Sequence, residues 1–393
     1  MYALRLILPL LLIGQLLNAQ TTDKFASYTD YIQKEISEAH ISGAVSLIVK
    51  DGEVLHQGAW GMSDREADVA MKTDDVFHLM SMTKPIVSVA LMQLWEKGMF
   101  KLDDPVSKHL MGFSNLRVAK DVSEGKDGET VPVKSAITIR QVLSHTAGFS
   151  HGLSGTALDN DIAMALYFSP QKDIKSRVRT LTQLPMIGQP GEQWSYSASP
   201  DIAALLIEHF TGETVAEYLH KRIFKPLGMK DTGYNMTAAQ AARMPKLYKP
   251  VDGKLERDLM QMPASGHTVF GGSHGLLSTT ADYGKFCEML VNGGKANGKR
   301  ILKAKTLKLM TENHIGNNVF RPGHTFGLGF GVAVDVPEDG LDSTGRFYWS
   351  GAYATYFFVD PANDLYAILM TQTSGNRQPY GDELRKVVYR GIK

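Results

Sequence analysis

Residues 77–87 read Phe-His-Leu-Met-Ser-Met-Thr-Lys-Pro-Ile-Val. Pro85 has no backbone N–H, so a helix tolerates it only in its first turn. The apolar run from Pro85 to Lys97, closed by Gly98, therefore predicts a helix that starts close to Ser81. Residues three apart on a helix share a face, which brings the Lys84 amine within reach of the Ser81 hydroxyl. A serine hydroxyl is a poor nucleophile until a base removes its proton. A lysine amine can be that base once a dry setting lowers its affinity for protons. The flanks Phe77-His78-Leu79-Met80 and Pro85-Ile86-Val87 supply such a setting, and the helix N-terminus favours negative charge developing at Ser81. On spacing alone a second reading stands beside this one, in which Ser81 caps the helix and Lys84 is a solvated first-turn residue.

The Ser-x-x-Lys spacing recurs at Ser123/Lys126 and Ser169/Lys172. Ser123 sits in a polar, glycine-containing stretch and Ser169 is followed by Pro170, so only Ser81 opens an apolar helix. A competing nucleophile is Ser273 in Gly271-Gly272-Ser273-His274-Gly275, which matches G-x-S-x-G. That elbow needs a buried strand before it. Its approach instead runs through Pro263 and polar residues, which favours a glycine-rich loop.

Working outward, Thr22 to Ala39 has helical apolar spacing, and two β-like runs, Gly43 to Lys50 and Glu53 to Trp60, flank Asp51-Gly52, a strong hairpin signal. The middle is helical. Thr138 with Gln141 and Thr214 with Glu217 form capping boxes. Ser199-Pro200-Asp201 reads as an N-cap, a first-turn proline and an acid at the helix dipole. Thr279 to Leu290 closes this block. Strands return at Thr325 to Val334, Arg346 to Trp349, Thr355 to Val359 and Leu365 to Thr371, and a last helix runs from about Gly381 to Tyr389. Turn-linked strands favour antiparallel pairing. The expectation is an α+β fold: an antiparallel sheet built from both chain ends, about 20–75 and 291–393, flanked by helices, with a large mostly helical insertion at about 76–290.

The 393 residues carry 42 Lys+Arg against 41 Asp+Glu. A protein that grips phosphate backbones usually carries a basic excess, so nucleic acid is not an expected partner. At 43% hydrophobic and 21% charged the chain is ordinary for a globular protein. Cys287 is the only cysteine, which excludes an intramolecular disulfide and a zinc–cysteine cluster. Residues 1–19 read as a secretory signal: Arg5, the apolar run Leu6 to Leu17, and Ala19 before the cut. The alternative is an uncleaved N-terminal anchor. Cleavage leaves residues 20–393 with no further stretch able to span a bilayer, and a periplasmic or secreted location follows.

More residues narrow the chemistry. Phe77 to Val87 resembles the nucleophile helix of the serine β-lactamase and penicillin-binding-protein superfamily. Ile137 to Phe149 (ITIRQVLSHTAGF), Pro190 to Ser197 (PGEQWSYS), Ile223 to Thr232 (IFKPLGMKDT), Gly271 to Asp282 (GGSHGLLSTTAD) and Trp349-Ser350-Gly351-Ala352 resemble further segments of the branch that holds class C β-lactamases and family VIII carboxylesterases. The resemblance implies a β-lactamase/transpeptidase-like fold with Ser81 as the acylated nucleophile, Lys84 as its base and Tyr196 as a second base for acylation and for the hydrolytic water. A free tyrosine, at about pH 10, needs nearby cations or Lys84 for that role. The resemblance also implies an oxyanion hole from the backbone N–H groups of Ser81 and Ala352, such donors being worth about 3 kcal/mol each. Two departures bear on the substrate. Where β-lactamases of this branch have Tyr-x-Asn, this chain has Tyr196-Ser197-Ala198, without the amide. Where they have Lys-Thr-Gly it has Trp349-Ser350-Gly351, without the cation that holds a substrate carboxylate. Ala198, Trp349, Ser350 and Gly351 are thus expected at the substrate, and Met82, next to Ser81, at the acyl group.

The expectation is an exported serine hydrolase, a carboxylesterase acting on small esters with no cofactor or metal. A β-lactamase or D-amino-acid peptidase, an acyltransferase using the same residues, and a non-catalytic binding protein remain as alternatives. His145 is expected to be structural, His267 and His274 to line the pocket, and Cys287 to be a buried small hydrophobe.

Overall fold

A computed structural model describes residues 24–375 and 379–393, so the expected signal at 1–19 lies outside the described residues. The chain opens with α1 (Ala26–Ser37), then the hairpin β1 (Gly43–Lys50) and β2 (Glu53–Asp64), with a short β3 (Val69–Ala70). Asp51 and Gly52 both take positive φ, 53° and 76°, as a two-residue type I′ turn requires. The helical region holds α2 (Thr83–Glu96), α3 (Ile139–Leu143), α4 (Ile174–Gln183), α5 (Ser199–Thr211) and α6 (Val215–Leu219), followed by α7 (Thr280–Val291). The C-terminal part supplies β4 (His324–Phe326), β5 (Gly331–Ala333), β6 (Phe347–Gly351), β7 (Thr355–Asp360), β8 (Leu365–Thr371) and α8 (Tyr380–Ile392).

These strands form one eight-stranded sheet in the order β4-β5-β6-β7-β8-β1-β2-β3, every pair antiparallel. The two chain ends meet where β1 pairs β8, Ala44 opposite Thr371. Alternate side chains divide between two cores. Ala44, Ile48, Tyr356, Phe358, Leu365, Ala367 and Leu369 pack with α1 and α8. Val45, Leu47, Val49, Phe357, Val359, Tyr366, Ile368 and Met370 join α2, α7 and the helical region on the other face. A sheet covered on both faces explains why its strands read as nearly continuous apolar runs.

Three local readings change. The segment 325–334 is two short strands rather than one. Gly329 turns the chain at φ 96°, and a Cβ at Gly327 would stand 2.0 Å from the Met310 carbonyl oxygen. Helix α3, which the sequence carries to about Gly148, keeps its Thr138/Gln141 capping box but ends at Leu143, because His145 adopts a left-handed φ of 59°. Helix α7, although inside 76–290, packs on β8, β1 and β7 and serves as a covering layer of the sheet.

Helix α2 is buried on every side from Thr83 to Met92. It therefore runs through the centre of the molecule with its N-terminus at the junction of sheet and helical region. Among the described residues, no helix is long and apolar enough to cross a membrane.

Candidate active site

Ser81 lies in a 3-10 turn, Met80–Met82, that leads into α2. Met80 takes a left-handed φ of 50°, a conformation that costs a non-glycine residue about 1 kcal/mol or more and persists only where neighbours enforce it. They do so from two sides. The Leu79 carbonyl accepts from Thr355 Oγ1 on β7 at 3.2 Å, and Gln372 Oε1, just past β8, accepts from the His78 N–H at 3.1 Å. The Leu79 N–H donates to Leu276 O at 2.9 Å, and the Leu276 N–H to Thr83 Oγ1 at 3.2 Å. Sheet and glycine-rich loop thus hold the turn together.

Two side chains converge on the Ser81 hydroxyl. Lys84 Nζ donates to Ser81 Oγ at 3.1 Å and the Tyr196 hydroxyl donates to it at 2.6 Å. The ammonium also lies 4.6 Å from the Tyr196 ring centre. Lys84 is 1% exposed. Its burial lowers its pKa to about 7, with the Asp201 carboxylate opposing and Arg177 assisting, so a large fraction of the amine is neutral near pH 7. Burial acts the other way on Tyr196 and raises its pKa well above that of a free phenol. The resting phenol is therefore protonated and a donor.

The support behind this trio comes from residues whose role the sequence left open. Lys84 Nζ also donates to the Ser273 carbonyl at 2.8 Å. The Ser273 N–H donates to Asp201 Oδ1 at 2.8 Å, and Asp201 Oδ2 accepts from Arg177 Nε at 2.6 Å. Burial alone would raise the Asp201 carboxyl, but Arg177 and further donors bring it down to about 2. Asp201, read from sequence as a helix-dipole acid, is in fact a buried strut between α4 and the loop. Ser199 does not cap α5 either: Ala198 is the cap residue and no side chain caps it. Ser273 Oγ donates to the Ala198 carbonyl at 3.2 Å, away from Ser81, so this loop lends its backbone to the lysine. Ser123 and Ser169 are on exposed stretches or partly so, with Lys126 and Lys172 exposed.

Two histidines frame Tyr196. The His145 carbonyl accepts from the Ser195 N–H at 2.9 Å and its Nδ1 from the Ser197 N–H at 3.2 Å, which brackets the tyrosine on the backbone. His151 stacks on the Tyr196 ring at 4.9 Å between centroids, and its Nε2 lies 3.5 Å from Lys84 Nζ. The Tyr167 hydroxyl in turn lies 2.6 Å from His151 Nδ1. Burial, followed by Lys84, keeps both imidazoles neutral. His274 is lowered to about 3, by burial first and then by Arg177. The sequence offered one signal for His151, its place two residues beyond the Ile137 to Phe149 segment.

Of the expected substrate residues, Trp349 stands 5.6 Å from the Tyr196 ring, in the middle of β6, with Ser350 exposed and Gly351 half-buried after it in the strand. Ala352 follows in an exposed turn. A Cβ on Gly351 would meet Thr355 Oγ1 at 2.2 Å and Leu79 O at 2.4 Å. Glycine there lets the end of β6 close on the backbone just before Ser81. Met82 and Ala198 are fully buried, so neither offers surface to a ligand. Instead Trp194 and Phe320 join Trp349, with Trp194–Phe320 at 4.7 Å, and the fully buried Phe326 packs behind Trp349 at 5.2 Å. No carboxylate-binding cation takes part in that wall. Glu35, Glu38 and His40 form the one cluster of candidate metal ligands among the described residues. They lie at the end of α1, on the other face of the sheet.

The chain matches known proteins over most of its length. The model of the family described as Beta-lactamase matches residues 26–389. Among curated relatives, "Protein Rv1367c" of Mycobacterium tuberculosis is 29% identical, over 86% of this chain and 88% of its own. "Esterase EstB" of Burkholderia gladioli is 29% identical, over 90% and 92%. Among solved structures, "EstCE1, a hydrolase with promiscuous acyltransferase activity" superposes with a TM-score of 0.79 at 26% identity, covering 93% of this chain and 98% of that one.

Proposed function

From the premise that this chain belongs to the Beta-lactamase family, in which it is a serine hydrolase, we propose that it is a carboxylesterase that cleaves small neutral esters through an acyl-Ser81 intermediate. The observation that carries the reading is the convergence of Lys84 Nζ and the Tyr196 hydroxyl on one serine oxygen, at 3.1 and 2.6 Å.

The two groups divide the proton work. Neutral Lys84 takes the Ser81 proton as Oγ attacks the ester carbonyl. The tetrahedral oxyanion is received by the backbone N–H groups of Ser81 and Ala352, an assignment supported by the close approach of Gly351 to Leu79. Collapse expels the alcohol oxygen, which takes a proton from Tyr196. The Lys84 ammonium restores that proton, and water then repeats the sequence in place of the alcohol. Neutral His151 and the Ser273 carbonyl give the ammonium two acceptors during the cycle.

The aromatic wall of Trp194, Phe320 and Trp349, and the lack of a cation at the Trp349 position, support an uncharged substrate over a β-lactam or a peptide with a free carboxylate. A second reading, transfer of the acyl group to an alcohol, is favoured by the acyltransferase activity named for EstCE1. We propose also that residues 1–19 export the chain to the periplasm or beyond. In the test, Ser81→Ala reduces hydrolysis of a short-chain aryl ester at least about 1,000-fold, and a fluorophosphonate modifies Ser81 on mass spectrometry. Labelling of Ser273, or wild-type rates in Ser81→Ala, overturns the assignment. Accumulation of acylated alcohol when a primary alcohol is added identifies transfer.

A further inference from the structure

The near-balance of charge over the whole chain conceals one strongly unbalanced place. A groove of about 490 Å³ is lined by Lys97, Lys221, Arg222, Lys299, Arg300 and Lys303, with Glu96 as its only acid. Three separate parts of the chain deliver these cations: the C-terminal end of α2, the turns after α6, and residues 299–303. Of the six, only Lys221 has a carboxylate partner among the described residues, the half-buried Glu213. Glu96 offsets only one of the six charges, and its carboxylate is held by the Lys303 backbone N–H at 2.7 Å. Helix C-termini favour cations, but that accounts for Lys97 and not for five more gathered beside it. Held together with too few counter-charges, they repel one another.

The groove also has unsatisfied polar groups. Tyr218 lines it, is 1% exposed, and its hydroxyl has no hydrogen-bond partner. A buried hydroxyl left unpaired costs about 1–3 kcal/mol, which an incoming acceptor would remove. Gln93 Nε2 donates to Ile301 O at 2.8 Å, which leaves its Oε1 buried and unpaired, an acceptor for a phosphate O–H or a hydroxyl. Lys97 Nζ stands 5.9 Å from the Tyr218 ring centre.

We propose that this groove is an anion site that binds a phosphorylated group carrying two or more negative charges, held by the six cations at the rim and by the Tyr218 hydroxyl at the floor. The same chemistry belongs to a soluble phosphate compound and to the headgroup of an anionic lipid. The site is separate from Ser81, which lies at the opposite end of α2, and does not depend on the esterase reading.

The test uses the full chain with inorganic pyrophosphate, by calorimetry at low salt, and vesicles of phosphatidylglycerol or of phosphatidylcholine, by co-sedimentation. The expected result is saturable pyrophosphate binding that weakens steeply with salt. Arg222→Glu with Lys299→Glu lowers it at least about tenfold and Tyr218→Phe several-fold. Lys249→Glu with Lys254→Glu, a matched charge reversal elsewhere, leaves it unchanged. A thermal melt within a few degrees of the unaltered chain verifies that each variant is folded. Pyrophosphate binding without vesicle binding identifies a soluble ligand, whereas phosphatidylglycerol binding that pyrophosphate displaces identifies a lipid headgroup. Absence of saturable binding to pyrophosphate and to phosphatidylglycerol, or an equal loss in the control reversal, overturns the proposal.

Discussion

Lys84 shows what a single residue contributes and what it costs. In the unfolded chain its amine titrates near pH 10.5, and in the fold at about 7. The folded state therefore binds a proton less readily. Lys84 weakens stability by its full amount below about pH 7, and the penalty disappears as pH rises from 7 towards 10.5. Replacing it by methionine removes that penalty and also leaves the Ser273 carbonyl without its donor. Lys84→Met is accordingly expected to abolish ester hydrolysis yet raise Tm at pH 7, by a gain on the order of 1–3 kcal/mol. Thermal melts from pH 6 to 10 would show the gain shrinking with pH, and a difference that stays constant would mean that burial is not what lowers the amine. The same titration predicts kcat/KM of the wild-type enzyme rising through about pH 7.

At the scale of elements, the glycine-rich loop and α5 work as one unit. A Cβ on Gly272 would stand 1.8 Å from the Pro200 carbonyl oxygen, so the loop rests directly on the first turn of α5. The adjacent Ser273 contributes its carbonyl to Lys84 and its N–H to Asp201, but not its hydroxyl to Ser81. Ser273→Ala should stay within about tenfold of wild-type turnover, because the backbone contacts persist. Gly272→Ala should cost about 100-fold or more, or prevent folding, since backbone must move. Turnover numbers and melts of the two variants decide it, and equal effects would refute the role given to the backbone. This loop also marks the border of what the sequence makes legible. The nucleophile turn, the Thr138 and Thr214 capping boxes and the Asp51-Gly52 hairpin depend on residues close together in the chain, and their chemistry can be read there. Asp201 and Arg177 are 24 positions apart, and His151 and Lys84 67 apart. Their partnership is set by packing, so Asp201 resembled an ordinary dipole acid, and the burial of Met82 and Ala198 could not be read from their neighbours.

The whole molecule is three layers around one sheet, and its outer layer comes from the two chain ends. Helix α8 buries Leu384 and Val388 against Tyr356, Phe358 and Leu369. Burying such side chains stabilises by about 1.5–3 kcal/mol each, so losing the helix exceeds the usual margin of 5–15 kcal/mol once several are exposed. A chain ending at Pro379 is expected to lose cooperative unfolding and to bind a hydrophobic dye at room temperature. A sharp transition within a few degrees of the intact chain would show that α1 suffices to cover that face. The antiparallel sheet shared by both ends followed from the apolar runs and turns. The assignment of α7 to the sheet did not, because nothing in its own sequence distinguishes it from the helices before it.

The ladder between β1 and β8 has a consequence for the order of events in the cell. Ala44 cannot find Thr371 until nearly the entire polypeptide has left the ribosome, and joining residues so distant is slow because the entropy of closing the loop precedes any reward. The first hairpin therefore waits, edge unpaired, through most of synthesis. A nascent chain in that condition is exposed to aggregation until the last strand arrives.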